Sequence, residues 1–300
     1  MAPTTAYLMV GERCSRDCGF CAQARSSSAG DTLLSRVTWP RFPKEDLLTA
    51  LERRESEFQR ICIQSTVGPE ATEALTGLVA AIRGRVTLPL DTSALPPDSA
   101  AADALIGAGV DHIGFGVDAA TPEVFRRVKG PGWDRYQALI KHVARNHPGR
   151  AAVHLIAGLG ETEQEFLRAV QNYAELGAVV GLFAFCPVAG TRLGGLPAPS
   201  LSAYRRLQAA SYLITRELLG IEAMDFGPTG DLRHLPAEAW PKLAGGEAFR
   251  TSGCPGCNRP FYNERPGGPQ YNYARPLTEA EARLALEETR IAPSSEQARA

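Results

Sequence analysis

Short apolar or β-branched runs recur along this chain of 300 residues, and each is followed by a segment with helical periodicity. In one such segment, Phe166, Val170 and Tyr173 are spaced to lie on one face of a helix. Because parallel strands are joined by crossover helices, this repetition predicts an α/β fold with a parallel sheet. A (β/α)8 TIM barrel and an open doubly wound sheet both fit, but no Gly-x-Gly-x-x-Gly follows the first strand, which weakens the dinucleotide-binding version. We predict strands at 6–10, 60–66, 86–90, 112–117, 152–157, 178–185, 221–226 and 247–250.

The charge balance argues against a nucleic acid or an anionic membrane as the main partner. Formal net charge is -1, and no run of lysine or arginine stands out. The uncharged stretch 177–191 is broken by glycine and proline and is too short to span a bilayer, and the amino terminus lacks a basic segment followed by an apolar one. We therefore expect a cytoplasmic protein whose substrate is small or is carried by another protein.

The chain has seven cysteines, an odd number without a signal peptide, which argues against a disulfide framework and favours metal or redox chemistry. Cys14, Cys18 and Cys21 fall in the loop after the first predicted strand. The active site of a parallel barrel lies at the carboxyl ends of its strands, so this loop is in the right place for chemistry. Cys62 and Cys186 lie in apolar runs, where each taken alone is better interpreted as a buried structural thiol.

Three thiolates at this spacing suit either zinc or an iron-sulfur cluster. A structural zinc site needs four ligands, and no further cysteine or histidine follows Cys21 closely, since the next histidine is His112. A cubane cluster held by three cysteines leaves one iron without a protein ligand. That iron is free to bind a substrate or cofactor.

The spacing C-x3-C-x2-C, with the aromatic Phe20 before the third cysteine, resembles the signature of the radical S-adenosylmethionine (SAM) superfamily. The resemblance implies that Cys14, Cys18 and Cys21 hold a 4Fe-4S cluster whose open iron binds the amino and carboxylate groups of SAM. It also implies an electron donor such as ferredoxin or flavodoxin. Reductive cleavage of SAM would give methionine and a 5'-deoxyadenosyl radical that abstracts hydrogen from an unactivated carbon.

Other positions resemble the places where this superfamily holds SAM. Residues 154–161 resemble a fifth-strand motif that packs against adenine, although His154 stands in place of its first glycine. Asp118 resembles a fourth-strand carboxylate that binds the ribose hydroxyls; the alternative is a helix N-cap or turn residue. A second-strand motif for the SAM amino group is only weakly visible at 64–70. The SAM-binding residues implied by the resemblance are Phe20, Gln64, Asp118, Ile156, Gly158 and Glu161.

Residues 5 to about 250 are most similar to the biotin synthase branch, whose members hold a second, sacrificial cluster inside the barrel. Cys62 matches its second-strand cysteine, but Pro89 and Ala152 occupy two other ligand positions. Cys254 and Cys257 are the predicted replacements, and they follow the eighth predicted strand, which would place them at the same barrel mouth as the first loop. An auxiliary iron-sulfur cluster held by these three cysteines is our prediction, with a zinc knuckle or a redox dithiol as alternatives.

The fourth ligand of this auxiliary cluster is left open by the sequence. Cys186, Ser252 or a sulfide are the candidates. His154 has the strand parity of Ile156 and is expected to point inward. The other histidines are interpreted as helix, loop or packing residues, namely His112, His142, His147 and His234.

The carboxyl-terminal segment from Thr251 resembles that of two-component lipoyl synthases, in which two radical SAM proteins together insert two sulfurs into a protein-bound octanoyl chain. This implies an octanoylated carrier protein or peptide as substrate and a companion radical SAM protein. A strap rich in proline, glycine and aromatics follows Asn258, and a last helix is predicted from Thr278, with Glu281 completing a capping box. The strap aromatics either cover the active cavity or pack on the barrel, and they are Phe261, Tyr262, Tyr271 and Tyr273.

These features divide the chain into a barrel at 1–253, an auxiliary-cluster segment with strap and helix at 254–291, and a disordered tail at 292–300. The leading hypothesis is a radical SAM sulfur-insertion enzyme of the lipoyl synthase type. The alternatives are a biotin synthase-like enzyme acting on dethiobiotin, a radical SAM isomerase, methylase or cofactor-maturation enzyme, and a noncatalytic metal-binding subunit.

Overall fold

The computed structural model describes residues 2–260, 262–264 and 267–293. Its centre is a parallel sheet of six strands that are ordered as they occur along the chain. Helices follow the strands, so the α/β class with a parallel sheet of the (β/α) type is confirmed. The strands are β1 (Thr5–Val10), β2 (Arg60–Ser65), β3 (Leu90–Ser93), β4 (His112–Asp118), β5 (Ala151–Ala157) and β6 (Val179–Ala184).

Several of the helices begin at residues whose side chains cap the first turn. Asp98, Thr121 and Ser200 each cap a helix by accepting a hydrogen bond from a backbone N–H in its first turn. Thr278 and Glu281 form the predicted capping box of the last helix. The helices are α1 (Lys44–Arg53), α2 (Ala71–Arg83), α3 (Ser99–Gly107), α4 (Pro122–Lys129), α5 (Trp133–Asn146), α6 (Glu163–Glu175), α7 (Leu201–Thr215), α8 (Ala239–Leu243) and α9 (Glu279–Thr289).

Alternation along the strands separates an apolar outer face from a more polar inner face. In β4, Ile113, Phe115 and Val117 are fully buried against the helices. The intervening positions, from His112 to Asp118, are histidine, glycine, glycine and aspartate. Because side chains of a strand alternate in direction, these small and polar residues face the interior of the curved sheet. The main core therefore lies between sheet and helices, and the inner face is free for chemistry.

Two of the eight predicted strands are wrong, and one is displaced. The third strand begins at Leu90 rather than at residue 86, because Pro89 cannot donate a hydrogen bond to the sheet. Residues 221–226 form a 3-10 helix, Ile221–Ala223, and a short strand, Asp225–Phe226, that pairs outside the main sheet. Residues 247–250 contain the 3-10 helix Glu247–Phe249. Both segments are poor in β-branched residues, which weakens their tendency to extend. Within the described residues, no strand continues the sheet beyond β1 or β6.

The opening between the two edge strands is bridged by residues 251–260 and 262–264, which we call the closing segment. On the β6 side, the Leu182 backbone N–H donates to Ser252 Oγ (2.8 Å), and the Asn263 side chain donates to the Ala184 carbonyl (2.8 Å). On the β1 side, the Arg259 backbone N–H donates to Tyr7 Oη (3.1 Å). The carboxyl-terminal part of the chain thus takes the place of the missing strands by hydrogen bonds to both edges.

The remaining strands are short and lie outside the main sheet. Leu33–Leu34 pairs with Val37–Thr38, and Leu232–Leu235 pairs with both Asp225–Phe226 and Ala292–Pro293. The predicted disordered tail is therefore wrong for its first two residues, while 294–300 lie outside the described residues. No helix in the described part of the chain is long and apolar enough to cross a membrane.

Candidate active site

The inner face of the sheet encloses a cavity of about 1030 Å3. It runs from Gly11 and Glu12, after the carboxyl end of β1, to Thr5 and Arg60, at the amino ends of β1 and β2. His154 points into it, as its strand parity predicts. These residues span the length of the strands, so a single cavity connects the two ends of the sheet.

Glycines of β4 and β6 make room for the His154 ring. A Cβ added to Gly114 would lie 2.9 Å from the His154 ring, and one added to Gly181 would lie 3.3 Å from it. The ring also packs edge-on against Phe183, with 5.4 Å between ring centroids. Burial, followed by the positive charge of Arg259, lowers the pKa of His154 to about 4. The imidazole is thus neutral near pH 7 and able both to donate and to accept a hydrogen bond.

The loop that carries Cys14, Cys18 and Cys21 lies at the carboxyl end of β1 and is held by backbone contacts. The Ser15 N–H donates to the Val67 carbonyl (2.7 Å), and the Val67 N–H donates to Cys14 Sγ (3.4 Å). Phe20 is half-buried and packs on the core. All three cysteines are free thiols. The loop therefore has a defined conformation that presents three potential metal ligands.

Burial opposes ionisation of two of these thiols, those of Cys18 and Cys21. It raises the pKa of Cys18, and it raises the pKa of Cys21 to about 12, with the neighbouring Cys18 thiol adding to the effect on Cys21. Metal coordination reverses this preference, because a bound cation stabilises thiolates directly. The buried thiols are thus suited to hold a metal centre rather than to act as free nucleophiles.

The three sulfur atoms of the loop do not all lie within 4.8 Å of one another. Ligand atoms around one tetrahedral zinc lie about 3.8 Å apart when all are thiolates, given Zn–S bonds of about 2.3 Å. In the described part of the chain, three or more cysteine, histidine, aspartate or glutamate side chains have ligand atoms within 4.8 Å of one another at two places. Neither place includes Cys14, Cys18 or Cys21. A cubane cluster, which is wider than one ion, fits this more open arrangement.

Asp118 lies beside the three-cysteine loop and is paired with a buried lysine. Lys129 Nζ donates to Asp118 Oδ2 (2.5 Å) and to the Gly116 carbonyl, and it lies 4.8 Å from the centroid of the Tyr136 ring. Burial acts to lower the pKa of Lys129, but Asp118, Tyr136 and Cys18 together raise it, and the net pKa is raised. Thr121, not Asp118, caps α4. The N-cap half of the alternative is therefore wrong, whereas Asp118 does have a turn conformation, with φ 65°. Its carboxylate is fixed at the carboxyl end of β4.

Glu161 shapes the turn that follows β5. Its carboxylate accepts hydrogen bonds from the backbone N–H groups of Gly158 (2.7 Å) and Leu159 (3.1 Å). Gly158 has φ 97°, and a Cβ there would come 3.0 Å from the Pro199 ring. Ile156 is half-buried just before this turn. These residues sit at the same end of the sheet as the three-cysteine loop, where the resemblance places the adenine of SAM.

The second group of cysteines lies at the opposite end of the cavity. The turn 254–257, which we call the dithiol turn, is tied to the amino ends of β1 and β2: Thr4 Oγ1 donates to the Gly256 carbonyl (2.7 Å) and Arg60 Nε to the Pro255 carbonyl (2.7 Å). The predicted position at the barrel mouth is therefore wrong. Because the eighth strand is absent from the described sheet, the chain reaches Cys254 from the amino side of the strands.

The structure brings Cys62 to this turn. Burial raises the pKa of the Cys62 thiol, and nearby Asp91 and Cys257 raise it further. Cys257 Sγ lies 3.3 Å from Tyr7 Oη, and Gln64 donates to Cys62 Sγ (3.0 Å). Cys62, Cys254 and Cys257 thus share the inner end of the cavity, and Gln64 is directed at this group.

Two predicted candidates for a fourth ligand are engaged elsewhere. Cys186 lies beyond the carboxyl end of β6, where its thiol is 3.5 Å from the Asn263 carbonyl oxygen. Ser252 Oγ accepts the hydrogen bond from the Leu182 N–H that anchors the closing segment. Both side chains instead form hydrogen bonds between the closing segment and β6 or the residues that follow it.

The strap aromatics divide between two roles. Tyr262 lines the cavity and packs edge-on against Phe183. Tyr271 donates to the Pro199 carbonyl (2.7 Å), and Tyr273 packs under the Arg205 guanidinium of α7. Phe261 lies outside the described residues. Of the described aromatics, Tyr262 is therefore the one that covers the cavity, while Tyr271 and Tyr273 fasten the strap to α7.

Several residues around the dithiol turn were missed from the sequence. Arg60, Asp91 and Arg259 are polar side chains in or near apolar segments, and the position of each depends on strand register or on the path of the closing segment. Asp91 and His112 had one usable signal, since Asp91 follows the buried Leu90 in β3 and His112 precedes the buried Ile113 in β4. Alternation alone would have turned them inward.

The fold and the site define an α/β protein with three thiols at the carboxyl end of a parallel sheet and three more at its amino end. Comparison with known families identifies the class further, because the Radical SAM superfamily matches residues 8–172, more than half of the chain. The chain belongs to the radical SAM superfamily, which confirms that part of the sequence prediction. Membership implies a 4Fe-4S cluster and SAM, and the three free thiols of Cys14, Cys18 and Cys21 fit the cluster.

Individual relatives are distant. The biotin synthase of Acaryochloris marina (strain MBIC 11017) is 29% identical over 161 residues, which cover 51% of this chain and 44% of that protein. The chain thus matches less than half the length of this relative. The structure of methylornithine synthase (PylB) is similar over 78% of this chain and 64% of that one, with a TM-score of 0.58 and 14% identity. The FeFe-hydrogenase maturase HydG from Carboxydothermus hydrogenoformans is similar over 97% and 67%, with a TM-score of 0.55 and 17% identity. At these identities the structural similarities establish the fold alone.

Proposed function

We propose that this protein is a radical SAM sulfur-insertion enzyme, a component of a lipoyl synthase that adds sulfur to a protein-bound octanoyl chain. The observation that carries the proposal is the position of Cys62, Cys254 and Cys257 at the inner end of the cavity whose other end adjoins the three-cysteine loop. A sulfur donor at that depth and a radical generator at the mouth would both face a substrate between them.

The residues at the two ends have distinct tasks in this proposal. Cys14, Cys18 and Cys21 hold the 4Fe-4S cluster, which when bound supplies the electron that cleaves SAM and so generates the hydrogen-abstracting radical. Asp118, held by Lys129, presents a carboxylate oxygen suited to a pair of ribose hydroxyls. Cys62, Cys254 and Cys257 hold an auxiliary iron-sulfur cluster as the source of sulfide. The shared cavity keeps the reacting groups in one place.

The walls of the cavity support an aliphatic substrate. Trp39, Leu47 and Phe58 line its side along β1, where none of the strands in the described ranges covers the sheet edge. An alkyl chain buried there gains about 0.8 kcal/mol per methylene. Tyr262 and the closing segment shield the opposite side, which reduces access of water to a radical. An octanoyl chain tethered to a carrier suits a cavity that opens along one edge.

The test is an anaerobic reaction of the reconstituted protein with SAM, a reductant, the companion radical SAM protein and an octanoylated carrier peptide. We expect about eight irons per chain, as two 4Fe-4S clusters require, and a peptide whose mass has increased by sulfur. The double substitution Cys254→Ser and Cys257→Ser should lower iron to about four per chain and abolish sulfur addition, while SAM cleavage continues.

Cys186→Ser is the matched control, because Cys186 lies at the other end of the strands and should leave the iron content unchanged. Full retention of iron by the double variant would contradict the auxiliary cluster. Sulfur addition by a double variant that has lost this iron would contradict its role as sulfur source.

A second candidate is a biotin synthase-like enzyme that acts on dethiobiotin. The similarity to a biotin synthase favours it. Against it stand Pro89 and Ala152, which replace two cysteines expected by resemblance for the sacrificial cluster of that branch. Offering dethiobiotin and the octanoylated peptide in parallel separates the two candidates, because the product mass identifies which substrate gained sulfur.

A further inference from the structure

We propose that His112 is the non-cysteine ligand of the second metal centre and that Asp91 fixes its ring in the ligating orientation. The inference rests on the proposed function in one respect, the presence of a metal cluster at Cys62, Cys254 and Cys257. It assigns the ligand that the sequence left open and replaces the interpretation of His112 as a packing residue.

Strand register places His112 on the level of the second cysteine group. Cys62 of β2 pairs with Asp91 of β3, and Asp91 pairs with His112 of β4. Paired residues of neighbouring strands point to the same side of a sheet. One ligand atom from each of Asp91, His112 and Cys254 lies within 4.8 Å of the other two. A ring nitrogen of His112 therefore lies within 4.8 Å of the Cys254 sulfur.

The hydrogen bonds around Asp91 leave the histidine, rather than the aspartate, available to a metal. Asp91 Oδ1 is 2.7 Å from His112 Nδ1, and Asp91 Oδ2 is bonded to the Arg60 guanidinium. Asp91 is 2% exposed, and both of its carboxylate oxygens have protein partners. With Nδ1 donating to the carboxylate, Nε2 carries the free lone pair. Metal-binding histidines commonly have this arrangement, in which a carboxylate accepts from the other ring nitrogen.

Arg60 couples the histidine to the dithiol turn. Its guanidinium is bonded to Asp91, and its Nε donates to the Pro255 carbonyl (2.7 Å), between the two cysteines of the turn. The Arg60 side chain is 7% exposed. A single buried cation thus holds both the carboxylate that orients His112 and the backbone that presents Cys254 and Cys257. Such a shared support is what a mixed cysteine and histidine site requires.

Other side chains near the turn are less suited to complete the site. Tyr7 Oη is engaged by Cys257 and by the Arg259 N–H. The Arg259 guanidinium donates to the Ser252 carbonyl (2.7 Å) and lies 3.8 Å from the centroid of the Phe183 ring. Arginine offers no lone pair while it is charged. His112 is the nitrogen ligand that remains among the groups described around Cys254.

The experiment isolates the second site and reads its nitrogen directly. The triple variant Cys14→Ala, Cys18→Ala and Cys21→Ala is reconstituted anaerobically with iron and sulfide, reduced, and studied by pulsed electron paramagnetic resonance. The protein is prepared once with natural nitrogen and once with histidine labelled with ¹⁵N in the ring. We expect a strong nitrogen coupling to the cluster that changes from the ¹⁴N to the ¹⁵N pattern on labelling.

Two variants complete the design. His112→Cys should keep the cluster and lose the nitrogen coupling, since a thiolate replaces the imidazole. His142→Gln, which changes a histidine on the outer helix α5, should keep the coupling unchanged. A cluster without histidine coupling in the labelled protein, or one whose coupling stays ¹⁴N, overturns the assignment of His112 alone. Failure of the triple variant to take up iron contradicts the auxiliary cluster itself, so the two failures are distinguishable.

Discussion

The neutral histidine in the cavity predicts a specific pH dependence of stability. Burial and the charge of Arg259 lower the pKa of His154 to about 4, against 6.5 for an exposed histidine. Between these values the unfolded chain binds a proton that the folded chain does not, so unfolding becomes easier as the pH falls. The contribution of His154 is fully present above pH 6.5 and is lost as the pH falls to about 4.

The magnitude follows from the same shift. A decrease from 6.5 to about 4 corresponds to about 3 kcal/mol of unfolding free energy. This is an upper bound, because His154 lines a cavity that admits water and the folded state can relax around a charged ring. We therefore expect His154→Gln, which cannot titrate, to reduce the loss of stability between about pH 7 and about pH 4.5 by about 2 kcal/mol.

The assay is urea unfolding of the metal-free chain, followed by circular dichroism at several pH values, with free energies from linear extrapolation. His142→Gln is the control, since His142 lies on the outer surface and is hydrogen-bonded to Asp103 (2.8 Å). A His154→Gln variant whose pH dependence matches that of the unsubstituted chain would show that the ring is charged or exposed in solution. That result would refute the geometry of the cavity.

Three further substitutions test the supports of the site, each by urea unfolding of the metal-free chain. Lys129→Met leaves the half-buried Asp118 carboxylate without its partner and should cost about 3 kcal/mol, whereas a loss below about 1 kcal/mol would mean that the pair is solvated. Gly158→Ala forces a side chain into a left-handed conformation against the Pro199 ring and should cost about 1–3 kcal/mol; no change would show that the turn relaxes freely. Thr278→Ala removes one half of the last capping box and should cost about 1 kcal/mol, and an unchanged midpoint would argue that α9 is held by packing alone.

Local features were predictable because their causes are local. The apolar alternation of β4 and β5, the periodicity of Phe166, Val170 and Tyr173, and the capping box of α9 are fixed by residues close in sequence. The six strands of the sheet were found for this reason. The third predicted strand begins too early, because Pro89 has no backbone N–H to donate to the sheet.

The last two predicted strands are wrong because the position beside β6 and β1 is occupied by another part of the chain. Residues 221–226 and 247–250 are short and carry weak strand preferences, so nothing local commits them to the sheet. The closing segment occupies the opening between β6 and β1 instead, through Ser252, Asn263 and Arg259. That outcome is set by contacts 70 or more residues apart in the chain, such as those of Leu182 with Ser252 and of Ala184 with Asn263.

The radical SAM site could be predicted from the sequence alone, because Cys14, Cys18 and Cys21 lie within one loop at the spacing of the superfamily signature. The position of the second cysteine group became evident in the folded chain. Cys62 and Cys254 are separated by most of the chain, and the register of β2, β3 and β4 brings Asp91 and His112 to the same level. The reason is that metal ligands must be close in space. A sequence shows this closeness directly only when the ligands lie in one loop.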